Sequence, residues 1–334
     1  MNQSGADKRM GKPLLVIGFD LNPTLRAIVT KEVEAEVAYL HDLDTPARAE
    51  ALRRATVLLA RNTDNDLREG ETGLLGGARL VQFMTAGVDY IRLSALPAGV
   101  PVASNGGAYA APMAEHAMAL AFAASKRLLV EHANLARGAF NQSVPNRMLA
   151  GGVCGIFGFG GIGRATARLA KAIGMRVHAI NRRGVGDEAV DWIATPEQLD
   201  ELLAASDVLV ICAPLTHATR NLIGAAELAR MKDDAILVNL ARGEIVEEAA
   251  LYGHLRAHPR FTACIDAWWV EPVRHGQFRV DHPFLELPNV IGSPHNSAQG
   301  GPRDAGLRAA LANCRRALRD EVPLHLIGAA ERMR

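Results

Sequence analysis

The segment 153–163 constrains the fold more than any other part of the chain. An apolar stretch, 153–157, predicts a short strand that leads directly into a GxGxxG loop. Residues 164–173 then predict a helix that ends at Gly174, and residues 175–180 predict a second strand. A strand, a glycine loop, a helix and a strand within about thirty residues are typical of a dinucleotide-binding βαβ unit.

Each glycine of this loop has its own predicted role. Gly158 allows a tight turn, Gly160 lets the backbone approach a pyrophosphate, and Gly163 lets the helix pack closely on the strand. The phosphates would accept hydrogen bonds from N–H groups at the positive end of the helix dipole. We therefore expect a dinucleotide to bind at Gly158, Phe159, Gly160, Gly161, Ile162 and Gly163.

The charge balance excludes a strong attraction to polyanions. The 334 residues include 37 Lys and Arg against 36 Asp and Glu, so we expect no nucleic-acid partner and no acidic membrane surface. No stretch approaches the roughly eighteen uncharged apolar residues of a membrane span. Residues 1–12 are polar and lack the apolar segment of a signal peptide. We expect a cytoplasmic protein that does not bind a membrane.

The four cysteines are widely spaced, and most of them lie in apolar stretches. This pattern predicts buried free thiols in a reducing compartment, and we expect no metal site. The residues concerned are Cys154, Cys212, Cys264 and Cys314.

The glycine loop begins almost halfway along the chain, so a separate unit precedes it. Short apolar strands alternate there with helices, predicted at 14–18, 23–35, 46–55, 56–60, 79–83 and 100–103. Further strands follow the glycine loop at 207–212, 235–239, 262–266 and 289–291, and a last helix is predicted at 302–318. This alternation predicts an α/β fold with two Rossmann-like or flavodoxin-like domains and an interdomain active-site cleft. The dinucleotide-binding domain, 105–298, would be inserted in a substrate domain formed by 1–104 and 299–334.

The segment 111–137 is unusually apolar. Pro112 suits a first helical turn and Gly138 suits a helix end, so the segment predicts one long helix. A helix that is apolar on several faces must be buried on several faces. We expect it to serve as an interdomain core helix and as the seam of a homodimer.

Three predicted strands end in residues that can carry chemistry. Arg242, Glu271 and His295 each follow such a strand, and ligands of open α/β sheets bind outside the carboxyl ends of the strands. A guanidinium can hold a carboxylate through two parallel hydrogen bonds. A histidine can give or take the proton that accompanies hydride transfer, and a glutamate can fix its tautomer. Together they predict a hydride-transfer site for a small acid.

These residues lie in motifs that resemble the D-isomer-specific 2-hydroxyacid dehydrogenases. The matching stretches are the glycine loop, Ala213-Pro214-Leu215-Thr216 with Thr219-Arg220, Met231-Lys232, Asn239-Leu240-Ala241-Arg242-Gly243, Asp266 with Glu271-Pro272, and Leu287-Pro288-Asn289-Val290 with Ser293-Pro294-His295. They follow in family order and with family spacing from about residue 105 to residue 298. The N-terminal part matches more loosely, through Thr85-Ala86-Gly87-Val88-Asp89 and Ala114-Glu115.

The resemblance implies a role for each matching residue. Arg242 would bind the substrate carboxylate and carbonyl oxygen, His295 would protonate that oxygen, and Glu271 would support His295. Asp266 would hold the nicotinamide carboxamide, and the backbone N–H groups of Ala86 and Gly87 would help to hold the carboxylate. The cofactor site would also include Ala213, Pro214, Thr219, Leu240 and Ala241.

The chain departs from the family after Asp266. The family usually has Asp-Val where this chain has Asp266-Ala267, and Trp268-Trp269 makes the following loop bulky. Either both indoles fill the interdomain core, or one of them narrows the substrate pocket.

The residues after the second Rossmann strand bear on the choice of cofactor. An NAD enzyme normally carries Asp or Glu there, whereas this chain has Asn181, Arg182 and Arg183. Loss of the negative charge and gain of two guanidiniums favour the 2′-phosphate of NADP, with NAD possible.

The leading hypothesis is an NADPH-dependent reductase of small 2-oxo acids, of the glyoxylate/hydroxypyruvate type, that interconverts them with D-2-hydroxy acids. A formate or phosphite dehydrogenase is an alternative. The phosphite enzymes carry a lysine in the loop at 85–87 and the formate enzymes commonly carry glutamine at the position of Glu271, so neither is favoured. A dinucleotide-sensing, corepressor-like binding protein is the alternative from another class.

Overall fold

The computed structural model describes residues 12–187, 189–328 and 331. Nearly all of the polar N-terminal segment 1–12 lies outside the described residues. The chain divides into a continuous unit, Tyr109–Gly301, and a discontinuous unit formed by the chain up to Ala108 and from Pro302 onward. The continuous unit therefore lies, in chain order, between the two segments of the other.

The described residues form twelve strands and eleven α-helices. The strands are β1 (Leu14–Ile17), β2 (Glu36–Tyr39), β3 (Val57–Ala60), β4 (Leu80–Phe83), β5 (Val102–Ala103), β6 (Val153–Phe157), β7 (Arg176–Ile180), β8 (Trp192–Ala194), β9 (Val208–Ile211), β10 (Ile236–Asn239), β11 (Thr262–Ile265) and β12 (Val290–Gly292). The helices are α1 (Pro23–Glu32), α2 (Thr45–Arg54), α3 (Thr63–Asp66), α4 (Ala110–Ser125), α5 (Leu128–Ala136), α6 (Gly161–Ala172), α7 (Leu199–Ala205), α8 (Ala225–Leu228), α9 (Glu248–Ala257), α10 (Pro272–His275) and α11 (Ala305–Leu318).

The discontinuous unit is built on a parallel five-stranded sheet. Its strand order, β2-β1-β3-β4-β5, is that of a flavodoxin-like fold. Strands β1, β3 and β4 are buried along their whole length, which explains their continuous apolar sequences. Helix α11 packs on this sheet through Leu307, Ala310 and Leu311. Helix α11 thus completes the core of the discontinuous unit.

The continuous unit is built on a parallel seven-stranded sheet. Its strand order is β12-β11-β10-β9-β6-β7-β8. From β6, the chain adds β7 and β8 on one side and then returns to add β9 to β12 on the other side, as in a Rossmann fold. The predicted α/β fold with two Rossmann-like or flavodoxin-like units is therefore confirmed. The predicted interdomain active-site cleft and the exact domain boundaries stay predictions.

Two strands were not predicted, and both lie at the edge of a sheet. Strand β2 pairs only with β1 among the described strands, and β8 pairs only with β7. Three residues of β2 are half-buried and Glu36 is exposed, so β2 lacks the continuous apolar stretch of a central strand.

The prediction of one long helix over 111–137 is wrong. Helix α4 ends at Ser125, and α5 begins at Leu128 after Arg127 adopts a left-handed φ of 54°. No glycine or proline stands at the break, so the sequence carries no usual signal of it. Helix α4 buries seven residues and packs on α6, whereas none of the nine residues of α5 is buried. Among the described residues, no helix has the length and apolar character needed to span a bilayer.

All four cysteines are free. Burial raises the pKa of each thiol to about 12, so these thiols stay protonated and unreactive near neutral pH.

Candidate active site

The glycine loop joins β6 to α6 at the centre of the seven-stranded sheet. Gly158 has a φ of 108°, and a Cβ there would stand 2.4 Å from the backbone nitrogen of Ala213. A Cβ at Gly163 would stand 2.5 Å from the carbonyl oxygen of Gly158. At Gly160 a Cβ would meet no described atom within 4 Å. Protein packing therefore requires glycine at the first and third positions but not at Gly160.

The N–H groups of this loop fall into two sets. Those of Gly158 and Phe159 donate to the carbonyl oxygen of Ile180, and that of Gly160 donates to the carbonyl oxygen of Gly158, at 3.0 Å each. Those of Gly161, Ile162 and Gly163 belong to the first turn of α6, whose N–H groups have no acceptor within the helix. The Phe159 ring is buried beneath the guanidinium of Arg164. The donors suited to a phosphate are therefore those of the helix N-terminus.

Asn181 shapes the turn that follows β7. Its Oδ1 accepts the N–H of Arg183 at 2.9 Å, and its Nδ2 donates to the carbonyl oxygen of Val185 at 2.7 Å. Arg182 and Arg183 are exposed on this turn. An ion pair between Arg164 and Asp187 connects the end of the turn to α6. The amide of Asn181 thus holds the turn that displays two guanidiniums.

The loop after β9 is closed by a threonine. The Thr219 hydroxyl accepts the N–H of Thr216 and donates to the carbonyl oxygen of Pro214, at 2.8 Å each. Ala213 is buried against Gly158, whereas Pro214 is exposed. Thr219 therefore acts in the structure by shaping this loop.

Arg242 lies in the loop after β10. Asn239 accepts the N–H of Ala241 at 3.1 Å and donates to the carbonyl oxygen of Arg242 at 2.8 Å, which fixes the loop backbone. Leu240 points into the core. The half-buried Arg242 side chain donates to the carbonyl oxygen of Ala241 at 2.7 Å.

Glu271 and His295 are joined through both oxygens of the carboxylate. The Nδ1 of His295 lies 2.8 and 2.9 Å from the two carboxylate oxygens of Glu271. Burial alone would raise the pKa of Glu271. The hydrogen bond and charge of His295, the Trp268 N–H and the charge of Arg242 outweigh that effect and hold this pKa below its ordinary value. An ionised carboxylate only accepts hydrogen bonds, so Nδ1 carries the proton and Nε2 remains for proton exchange.

The backbone at His295 is unusual as well. Its φ of 49° lies in the left-handed region, and its N–H donates to the carbonyl oxygen of Asp266 at 2.9 Å. Non-glycine residues adopt this conformation at a cost that is most often tolerated at functional sites.

Asp266 is fully buried beside this pair. Its carboxylate accepts the Ser293 hydroxyl at 2.6 Å and the N–H groups of Asn296 and Ser297 at 3.2 and 3.3 Å. The Nε2 of His116, on α4, lies 3.1 Å from the same hydroxyl. The contact between His116 and Ser293 was not predicted from the sequence, because 177 residues separate the two.

The two tryptophans pack within the continuous unit. Trp268 and Trp269 are 4% and 8% exposed. The Trp268 indole donates to the carbonyl oxygen of Ser293, and the Trp269 indole donates to that of Val246, at 2.8 Å each. Each indole therefore connects two loops of the site, and the narrowing of a substrate pocket stays a prediction.

The structure brings Glu271, His295 and Asp266 together and places the charge of Arg242 near Glu271. Ala86 and Gly87 belong to the discontinuous unit, in the turn after β4. That turn is held by a 2.8 Å hydrogen bond from the Asn105 N–H to the carbonyl oxygen of Thr85.

Residues 118–297 match the family model described as the D-isomer specific 2-hydroxyacid dehydrogenase, NAD binding domain. The chain is 31% identical to the glyoxylate reductase of Aeropyrum pernix over 318 residues, 90% of this chain and 91% of that protein.

It is also 34% identical to the D-3-phosphoglycerate dehydrogenase of Archaeoglobus fulgidus over 228 residues, 67% of this chain and 42% of that protein. The chain spans about half the length of the curated phosphoglycerate dehydrogenases that it matches.

A solved structure gives a similar result. The D-isomer specific 2-hydroxyacid dehydrogenase from Xanthobacter autotrophicus, in complex with NADPH and MES, is 25% identical with a TM-score of 0.79. The match covers 95% of this chain and 98% of that one.

Proposed function

The chain belongs to the D-isomer-specific 2-hydroxyacid dehydrogenase family, and on that premise we propose that it reduces small 2-oxo acids to D-2-hydroxy acids with NADPH. The preferred substrates are of the glyoxylate and hydroxypyruvate type. The observation that carries the proposal is the paired hydrogen bond between His295 and Glu271, with the charge of Arg242 nearby. These three side chains supply a proton donor, its support and a carboxylate anchor.

The residues present fit a nicotinamide dinucleotide. The first-turn N–H groups of Gly161, Ile162 and Gly163 would hold the pyrophosphate, and Gly160 leaves room for it because no packing constraint requires glycine there. Arg182 and Arg183 would pair with the 2′-phosphate of NADP, which is why we propose NADP over NAD. The 25% identical relative from Xanthobacter autotrophicus was solved with NADPH. When bound, the cofactor supplies a hydride to the carbonyl carbon of the substrate.

The chain's own residues then divide the remaining work. The Arg242 guanidinium would hold the substrate carboxylate and orient the carbonyl oxygen. The Nε2 of His295 would give a proton to that oxygen, while Glu271 keeps the proton on Nδ1 and balances the charge of the ring. Asp266 would accept a hydrogen bond from the nicotinamide carboxamide. The backbone N–H groups of Ala86 and Gly87 would add donors for the carboxylate.

We also propose that the protein is a cytoplasmic homodimer. Leu128, Leu129 and Leu135 on α5 are 56%, 51% and 56% exposed, and Phe140 and Met148 are 76% and 72% exposed. Exposed apolar residues concentrated in one chain segment are typical of protein–protein contacts, and twofold dimers are the commonest assembly. Sedimentation equilibrium tests this proposal, and a monomer at micromolar concentration would contradict it.

The function is tested by following NADPH and NADH oxidation with a panel of 2-oxo acids. We expect turnover with glyoxylate or hydroxypyruvate and a higher kcat/KM with NADPH. Tight NADPH binding without turnover of any acid would instead favour a dinucleotide sensor. Oxidation of formate or phosphite with NAD or NADP would favour the other alternative.

A further inference from the structure

We propose that the largely buried ion pair between Glu244 and Arg274 is a positioning device that sets Arg242 relative to Glu271 and His295. The proposal rests on the function proposed above. Glu244 follows Arg242 by two residues, and Arg274 follows Glu271 by three. The pair therefore joins the loop that carries the carboxylate anchor to the loop that carries the support of the proton donor.

Arg274 and Glu244 form a bidentate ion pair. The Nη1 of Arg274 donates to the Oε2 of Glu244 at 2.9 Å, and its Nη2 donates to Oε1. The two side chains are only 8% and 13% exposed. A bidentate pair fixes direction as well as distance, and burial protects it from screening.

The Glu244 side of the pair is rigid. Residues Gly243–Ile245 form a short 3-10 turn, and the carbonyl oxygen of Glu244 accepts the N–H of Asn221 at 2.7 Å. Gly243 packs so closely on the backbone of Trp268 and Trp269 that a Cβ there would stand 2.4 Å from the nearest atom. Motion of Glu244 would therefore move the Arg242 backbone with it.

The Arg274 side connects to Glu271 through the backbone of α10. The carbonyl oxygen of Glu271 accepts the N–H groups of Arg274 and His275, at 3.2 and 2.8 Å. The N–H of Glu271 donates to the Nδ1 of His275 at 3.0 Å. Displacement of Arg274 would tilt this turn and carry the Glu271 carboxylate away from His295.

The functional consequence follows from the sensitivity of catalysis to geometry. Arg242 orients the carbonyl that His295 must protonate, so the two side chains must keep a fixed separation. A displacement of about 1 Å in such a constellation can cost on the order of a hundredfold in rate. The ion pair is thus expected to affect kcat more than cofactor binding.

The test compares three variants with one control. Arg274→Met and Glu244→Met each remove one partner, and the double variant Glu244→Met/Arg274→Met removes both charges. The control is Arg48→Met in the discontinuous unit, because Arg48 forms a bidentate pair with Glu71 whose side chains are 6% and 9% exposed. Loss of one partner of such a pair should destabilise the continuous unit in Arg274→Met and the discontinuous unit in Arg48→Met. Loss of both charges of a pair is far better tolerated.

We expect Arg274→Met and Glu244→Met to lower kcat about tenfold or more, with the Kd for NADPH unchanged. Arg48→Met should lose a similar amount of thermal stability yet keep its kcat per folded molecule. The double variant should regain most of its thermal stability without regaining kcat. Wild-type kcat in Arg274→Met, or recovery of kcat with stability in the double variant, would overturn the proposal.

A second readout separates this inference from the proposed function. The imidazole NMR signals of His295, assigned by their loss in His295→Gln, should shift in Arg274→Met but not in Arg48→Met. Unchanged signals in Arg274→Met would overturn the positioning role even if the wild-type enzyme reduced no 2-oxo acid. Absence of turnover in the wild type, with shifted signals in Arg274→Met, would overturn only the proposed function.

Discussion

Alanine at Gly160 and alanine at Gly163 should differ in their effect on stability, because a Cβ at Gly163 would meet protein atoms and a Cβ at Gly160 would not. At Gly163 the new Cβ would stand 2.5 Å from the carbonyl oxygen of Gly158, where ordinary contact begins at 3.4 Å. Helix α6 must therefore move by about 0.9 Å, the difference between these two values. Overpacking of this kind costs about 1–3 kcal/mol, which corresponds to a fall of about 2–12 °C in Tm.

At Gly160 the new Cβ meets no described atom within 4 Å, and the φ of −100° suits any residue. Alanine there restricts the unfolded chain, but Gly160 is also the N-cap of α6, where alanine is less favourable than glycine. These two effects oppose each other, so stability should change by less than about 1 kcal/mol. The methyl group would nevertheless stand where the pyrophosphate approaches the backbone. We expect a loss of about tenfold or more in NADPH affinity, equal to about 1.4 kcal/mol.

The assay combines thermal unfolding without cofactor and NADPH titration by fluorescence. Gly163→Ala should lose both stability and affinity, because the first turn of α6 moves with the helix. Gly160→Ala should lose affinity alone. Wild-type NADPH affinity in Gly160→Ala would refute the assignment of this loop to the pyrophosphate.

Three further predictions concern charge. Arg182→Gln/Arg183→Gln should reduce the preference for NADPH over NADH in kcat/KM by about tenfold or more; an unchanged ratio would contradict the assignment of the 2′-phosphate. Glu271→Gln should lower kcat by about a hundredfold. Because folding lowers the pKa of Glu271 from its ordinary value of 4.5, the ionised carboxylate stabilises the folded wild type above pH 4.5. This stabilisation is lost as the pH falls through the pKa of the folded state. The free energy of unfolding of Glu271→Gln, measured with urea, should therefore depend less on pH below 4.5. Burial, together with the charge of His258, lowers the pKa of His254 from 6.5 to about 4. As the pH falls between these values the unfolded state takes up a proton first, so the free energy of unfolding decreases; His254→Phe should remove that decrease, which urea unfolding at a series of pH values measures.

Local rules explain why much of the fold was predictable from the sequence. The glycine loop was recognisable because Gly158 needs a positive φ and Gly163 a close contact, and both constraints act on single residues. The central strands were predicted because they are buried on both faces and are therefore apolar throughout. The left-handed end of the first Rossmann helix was predicted at Gly174, which has a φ of 85°.

What the sequence did not predict depends on contacts between distant residues. The break at Arg127 lacks a glycine or proline. Helices α4 and α5 have similarly apolar sequences, although α4 is partly buried and no residue of α5 is buried. The pairing of Glu244 with Arg274 joins residues 30 apart on two loops. The close packing of Gly243 on the backbone of Trp268 is another contact that no local sequence pattern encodes.

The most direct test of the account is the turnover of His295→Ala beside the wild type. Both proteins would be assayed for glyoxylate or hydroxypyruvate reduction, and their Kd for NADPH would be measured by titration. The account predicts that the variant loses about a hundredfold or more in kcat while its Kd for NADPH stays within about threefold of the wild type. A variant that reduces the acid at the wild-type rate would contradict the role of His295 as the proton donor.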